Sequence, residues 1–179
     1  MREQAIELAR GYFLRDDNSY GCAETCLMVL SQAYGLPRAE DSAPAMALNG
    51  GIAWSGGVCG AITGAAMATG RLAAERIADH EQAKRVARRI TMALMAAFRQ
   101  AFGDVNCQPL IGFDLATEEG HAAFVESQVW HTVCMEQIEF VIGRLVELQH
   151  RQVWDDTVRQ LAEEEQPAGT ATNPPEQGG

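Results

Sequence analysis

EQAKRVARRITMALMAAFRQA, running from Glu81 to Ala101, decides the fold class. Val86, Ile90, Leu94, Ala97 and Phe98 recur at helical intervals, and Lys84, Arg85, Arg88 and Arg89 fill the positions between them. That spacing predicts one long amphipathic helix whose apolar stripe faces a core. Gly103 ends it, because glycine takes the left-handed conformation that closes a helix without steric cost. The four cations read first as a solvated helix face, and second as a dock for an acidic partner.

The same period continues in both directions. Ala5, Leu8, Ala9 and Phe13 predict a first helix, and Asp16-Asp17-Asn18-Ser19 the turn after it. Cys22, Cys26, Val29, Leu30 and Ala33 form the stripe of a second helix, stopped by Gly35 and Pro37. A short helix is expected from about Pro44 to Leu48, capped by Asp41 or Ser42. Asn49 to Gly64 reads as a glycine-rich loop opening a helix that ends near Gly70. Asn106-Cys107-Gln108-Pro109 reads as a connector, and Thr117-Glu118-Glu119-Gly120 as a helix start. Cys134, Ile138, Val141, Ile142, Leu145 and Leu148 make a further apolar face.

No strand pattern and no internal repeat emerges. The expected architecture is an all-α, single-domain helical bundle over residues 1–150 with a glycine-rich loop, an appended amphipathic helix at 151–165 and a flexible tail at 166–179. The appended helix carries Trp154 on its apolar stripe, so it either packs back or joins the partner subunit of a homodimer.

Composition bounds the function. The chain has 179 residues and a formal net charge of −10, with 24 acids against 14 bases. Nucleic-acid binding needs clustered cations, so that class is excluded. No stretch approaches the roughly 20 apolar residues of a membrane span. Met1-Arg2-Glu3-Gln4-Ala5 lacks the features of a secretory signal, which leads to the expectation of a cytoplasmic protein. The glycine loop has no Lys-Ser/Thr after its last glycine and follows no strand, so it fits neither a P-loop nor a dinucleotide fingerprint. Asp155-Asp156 would face different ways on a helix and make a poor acid/base pair. Nothing designates a substrate, so whether the protein is an enzyme stays open.

The five cysteines are the chemistry. An odd count without an export signal reads as thiols, metal ligands or redox groups rather than a disulfide scaffold. Cys59 stands at the start of a helix within the glycine loop, where helix dipole and free N–H groups are expected to lower its pKa. Cys22 and Cys26 lie one turn apart, Cys107 sits in a loop before Pro109, and Cys134 opens an apolar face. Four separate segments with one thiol each suit a soft-metal or cluster site. The absence of Cys-x-x-Cys pairs matches neither a zinc ribbon nor a ferredoxin run, and ordinary burial remains the alternative, chiefly for Cys26 and Cys134.

Five ordered segments carry a resemblance: Gly21-Cys22-Ala23-Glu24, Gly57-Val58-Cys59-Gly60-Ala61-Ile62-Thr63-Gly64, Phe102-Gly103-Asp104-Val105-Asn106-Cys107, Leu110-Ile111-Gly112-Phe113-Asp114 and Val133-Cys134. Over about residues 3–148 the chain resembles the C-GCAxxG-C-C family of redox-active proteins, whose four cysteines map to Cys22, Cys59, Cys107 and Cys134. The family is similar to the cluster-binding region of split-Soret cytochrome c. That resemblance implies an iron–sulfur cluster, [2Fe–2S] in type, held by these four thiols for electron transfer or redox sensing with a partner protein yet to be identified. Two departures stand out: Cys26 is additional, and Ile52-Ala53-Trp54-Ser55 replaces a glycine-rich lead-in. No Cys-x-x-Cys-His occurs, so the haem half of the comparison has no counterpart.

Three outcomes follow for the site. The first is the cluster, with Cys26 and His131 as extra ligand candidates, His131 standing three residues before Cys134. The second is a metal-free thiol–disulfide protein with Cys59 as attacking thiolate. The third is a helical binding module with structural zinc or ordinary buried cysteines. His80 and His150 read as solvated helix-end residues, and His121 has no evident partner.

Overall fold

A computed structural model describes residues 1–164, and every regular element among them is helical. The helices are α1 (Arg2–Phe13), α2 (Cys22–Ala33), α3 (Gly60–Arg76), α4 (His80–Phe102), α5 (Cys107–Ile111), α6 (Glu118–Ser127), α7 (Met135–Leu145) and α8 (Arg151–Glu163). Short 3-10 turns occupy Ala43–Leu48 and Val146–Gln149. The expected tail, and Glu165 at the end of the appended helix, lie outside the described residues. No described helix is long and apolar enough to cross a membrane.

The protein is all-α, and α2 is its axis. Residues Ala23 through Ser31 are buried without interruption, so this helix is enclosed on every side rather than striped. It packs against α3, α1 and α7, and α3 packs in turn against α4. α4 is the amphipathic helix of the sequence reading, with Val86, Ile90, Leu94 and Phe98 buried. Ala97 is half-buried instead, and Leu8 on α1 is exposed, because each stands at the margin of its stripe. Gly103 closes α4 in the left-handed conformation at φ 86°.

Two boundaries differ from expectation. α3 runs past Gly70 to Arg76, because burial of Ala68, Leu72 and Ala73 outweighs the roughly 1 kcal/mol helical penalty of one glycine. Cys107-Gln108-Pro109 begins a short helix rather than a connector. Pro109 is its third residue, where the missing N–H has no intrahelical partner to lose.

α8 packs back onto the domain. Trp154 is fully buried, and the Arg76 guanidinium lies 5.3 Å above its ring. The same guanidinium donates to the carbonyl oxygens of Leu148 and Gln149 at 2.7 Å each, satisfying backbone acceptors at the end of the preceding 3-10 turn.

Candidate functional site

The site begins where α2 and α3 touch. Gly60 and Gly64 stand one turn apart on α3 and face the first turn of α2. A β-carbon at Gly64 would overlap the Ala23 carbonyl, and one at Gly60 would overlap Cys22 Sγ. The helices therefore approach at backbone distance, which only glycine permits here. Cys22, the first residue of α2, and Cys59, which precedes α3, meet through that contact.

A second pairing brings in Cys107. The Cys59 N–H donates to Val105 O at 2.8 Å, and the Cys107 N–H donates to Gly57 O at 2.6 Å. Gln108 N–H adds a bond to Gly56 O at 3.1 Å, and Val58 and Asn106 form an isolated antiparallel bridge. These bonds fix Cys107 beside Cys59 although they are far apart in sequence.

Cys134 arrives by a different device. Trp130–Cys134 is a single π turn between Gln128, left-handed at φ 53°, and α7. A π turn widens the helix and shifts the register of side chains, a distortion common at functional sites. Three-residue spacing no longer places side chains on one face, so His131 does not follow Cys134. It is exposed, its ring 3.7 Å from that of Trp130, and it does not line the cavity described next.

Cys22, Cys107 and Cys134 line one cavity of about 270 Å3, walled by Trp130, Trp54 and His121 among others. Cys59 lies behind it, buried, with its thiol donating to Gln137 Oε1 at 3.4 Å. Gln137 is itself buried on α7, one turn beyond Cys134. The sequence reading missed it, for a lone glutamine on an apolar helix carries no local signal. Cys26 is fully buried one turn below Cys22 and does not reach the cavity.

The cavity's upper wall is strained. Gly50, Gly51, Ile52, Ala53 and Trp54 all have positive φ, at 64°, 74°, 68°, 49° and 64°. Left-handed backbone costs a residue with a β-carbon about 1–2 kcal/mol, so Ile52-Ala53-Trp54 holds this turn where glycine would do so freely. The turn lays the Trp54 indole against Gly50 and 5.1 Å from the His121 ring, giving His121 the partner that its sequence did not reveal.

Asn49 and Glu24 tie the loop to α2. Asn49 Oδ1 accepts from Ala23 N–H at 2.9 Å, and its Nδ2 donates to Glu24 Oε2 at 2.9 Å. The same Glu24 oxygen accepts from Gly21 N–H at 2.8 Å, closing the first turn of α2. Glu24 is buried, so these donors offset the cost of removing a carboxyl from water.

Burial governs the thiols. Desolvation pushes the Cys59 thiol well above its ordinary value, and nearby Cys22, Cys107 and Cys134 raise it further. This overturns the expectation of a low-pKa thiolate at Cys59: a helix N-terminus offers little against the loss of water around a charge. Cys107 is pushed up to about 12 by burial and then by Cys22. Cys134 rises for the same reasons, with Cys107 adding to Cys22. Cys22 also rises through burial, opposed by backbone N–H groups of Gly50, Ala23 and Gly60 directed at its sulfur. Cys22 thus raises the other three family thiols, which places all four sulfurs within one electrostatic neighbourhood. Among the described residues, no three histidine, cysteine or acidic side chains stand close enough to ligate a single metal ion.

The family described as "Putative redox-active protein (C_GCAxxG_C_C)" matches residues 20–148 of the chain. No curated protein and no solved structure matches it.

Proposed function

The chain belongs to the C-GCAxxG-C-C family, and from that premise we propose that Cys22, Cys59, Cys107 and Cys134 hold an iron–sulfur cluster of the [2Fe–2S] type for electron transfer or redox sensing. One observation carries the reading: three thiols from separate segments line one aromatic-walled cavity, and Cys59, behind it, feels the charge of all three. A cluster, when bound, supplies one-electron chemistry there. It spreads four thiolates over two irons and so takes a wider donor set than one tetrahedral zinc.

The chain's own residues have distinct parts in this reading. The N–H groups of Gly50, Ala23 and Gly60 stabilise negative charge on the Cys22 sulfur. Gln137 orients Cys59, and Trp54 and Trp130 exclude water. A cytoplasmic setting, which keeps thiols reduced until iron arrives, suits the arrangement. The metal-free thiol–disulfide alternative is less well served, because buried thiols with raised pKa values are poor nucleophiles at neutral pH.

Anaerobic purification with iron analysis and a visible absorption spectrum tests the proposal. We expect about two irons per chain, the content of one [2Fe–2S] cluster, with charge-transfer bands, both lost in Cys59→Ser and Cys107→Ser. Unchanged iron in those variants would sink it.

A further inference from the structure

No lysine or arginine lines the cysteine cavity. Between Arg15 and Arg38, Arg38 and Arg71, and Arg99 and Arg144 the sequence holds no lysine or arginine, and all four family cysteines fall in these intervals. The same intervals expose Asp16, Asp114, Glu118, Glu119 and Glu126. Arg15 is spoken for by Asp17, in a two-pronged pair at 3.0 and 2.9 Å. The densest run of bases, Lys84 to Arg89, stands on α4, which lends no residue to the cavity. The charge distribution is therefore lopsided as well as negative, and its acidic side is the cysteine side.

The mouth also exposes apolar surface. Trp54 is 54% exposed, Ile52 47% and Val125 46%, and both Trp54 and Val125 line the cavity. On α6, Glu118, His121 and Val125 follow at intervals of three and four and so share a face. Glu118 thus sets a carboxylate beside cavity-lining His121 and exposed Val125; apolar surface bordered by charge is the make-up of a transient docking interface, and an asymmetric field steers partners of opposite sign.

We propose that this mouth is the docking surface for a partner protein whose contact patch is cationic, seated on Trp54, Ile52 and Val125 inside the carboxylate rim. The inference rests on reading the cysteine cavity as the redox site, but not on which group the cavity holds. A basic partner gains from the rim what an acidic one would lose, and the indole offers the rigid aromatic anchor such contacts favour.

Oxidised cytochrome c, a basic one-electron carrier, serves as the probe, titrated calorimetrically into the full-length protein at low ionic strength. Glu118→Lys with Asp16→Lys, the latter two residues from cavity-lining Asn18, reverses two charges on the cysteine side; Glu75→Lys with Glu163→Lys makes the same net change on exposed positions elsewhere. The rim pair should weaken binding by about tenfold or more and the control pair by less than about twofold. Trp54→Ser should weaken it too, with a loss that persists in added salt. Equal losses in the two charge pairs would overturn the proposal. So would concentration-dependent self-association abolished by the rim pair, for the occupant would then be a second copy presenting α4. An iron-free, colourless preparation would sink the cluster reading and leave this result standing.

Discussion

Gly60 lies flush against the Cys22 sulfur: a β-carbon there would overlap Sγ and stand 3.1 Å from the Ala23 amide nitrogen. Gly60 is the first residue of α3, where alanine gains little of its interior helix advantage, so the overlap sets the sign. Gly60→Ala should cost about 1–3 kcal/mol in denaturant unfolding and, by displacing Sγ, lower the iron retained on anaerobic purification. Gly70→Ala, on the same helix with open space around it, should be neutral or gain up to about 1 kcal/mol. A destabilised Gly70→Ala would show that the helix, and not the sulfur contact, sets the cost.

The Asn49–Glu24 bond predicts a pH-dependent variant. Asn49→Asp would replace the Nδ2 donor with an oxygen facing Glu24 Oε2, across what is now a 2.9 Å hydrogen bond. Two carboxylates at that distance cannot both stay ionised cheaply, so one is held protonated. That raised folded-state pKa costs stability wherever the unfolded chain would be ionised. Asn49→Asp should thus lie about 2 kcal/mol below wild type at pH 7 and recover as pH falls toward about 4. Urea midpoints at both pH values test this; a constant gap would refute the proposed repulsion.

The left-handed turn predicts a stabilising substitution. Ala53 sits at φ 49°, where its β-carbon costs about 1–2 kcal/mol. Ala53→Gly relieves that cost and gives back part of it through greater freedom of the unfolded chain. A net gain of about 0.5–1 kcal/mol should appear as a higher denaturant midpoint with an unchanged slope. Loss of stability would mean that the turn does not hold this conformation in solution.

The buried thiols predict alkaline weakness in the metal-free protein. Folding raises Cys107 from 9.0 to about 12, so the native state keeps a proton that the unfolded chain releases. Its stabilising contribution is complete below about pH 9 and is lost progressively as pH rises toward about 12. The melting temperature of metal-free protein should fall between pH 8.5 and 10.5, roughly, and Cys107→Ser should flatten the decline. Because metals take thiolates, iron binding should release protons and strengthen from about pH 7 to 9.

Periodicity made the framework legible. Val86, Ile90, Leu94 and Phe98 announced α4, and Gly103 announced its end, because local spacing and helix closure are both written in adjacent residues. The order of the four cysteines likewise foretold a family, and the chain belongs to it. The sequence did not reveal the left-handed Ile52-Ala53-Trp54 turn, since non-glycine residues carry no sign of positive φ. The π turn before Cys134 was equally hidden, being fixed by packing against α5 rather than by its own composition. Gln137 became visible only once α7 placed it beside Cys59.

The bonds joining Gly57 to Cys107 and Cys59 to Val105 also bear on the order in which the chain assembles. Contacts between successive helices such as α3 and α4 close short loops and form early, whereas this clasp waits for the whole of both helices to intervene. Until it shuts, the thiols remain on separate pieces of chain. The cavity is therefore a late product of folding, and acquisition of a visible chromophore there would report completion of the fold in real time.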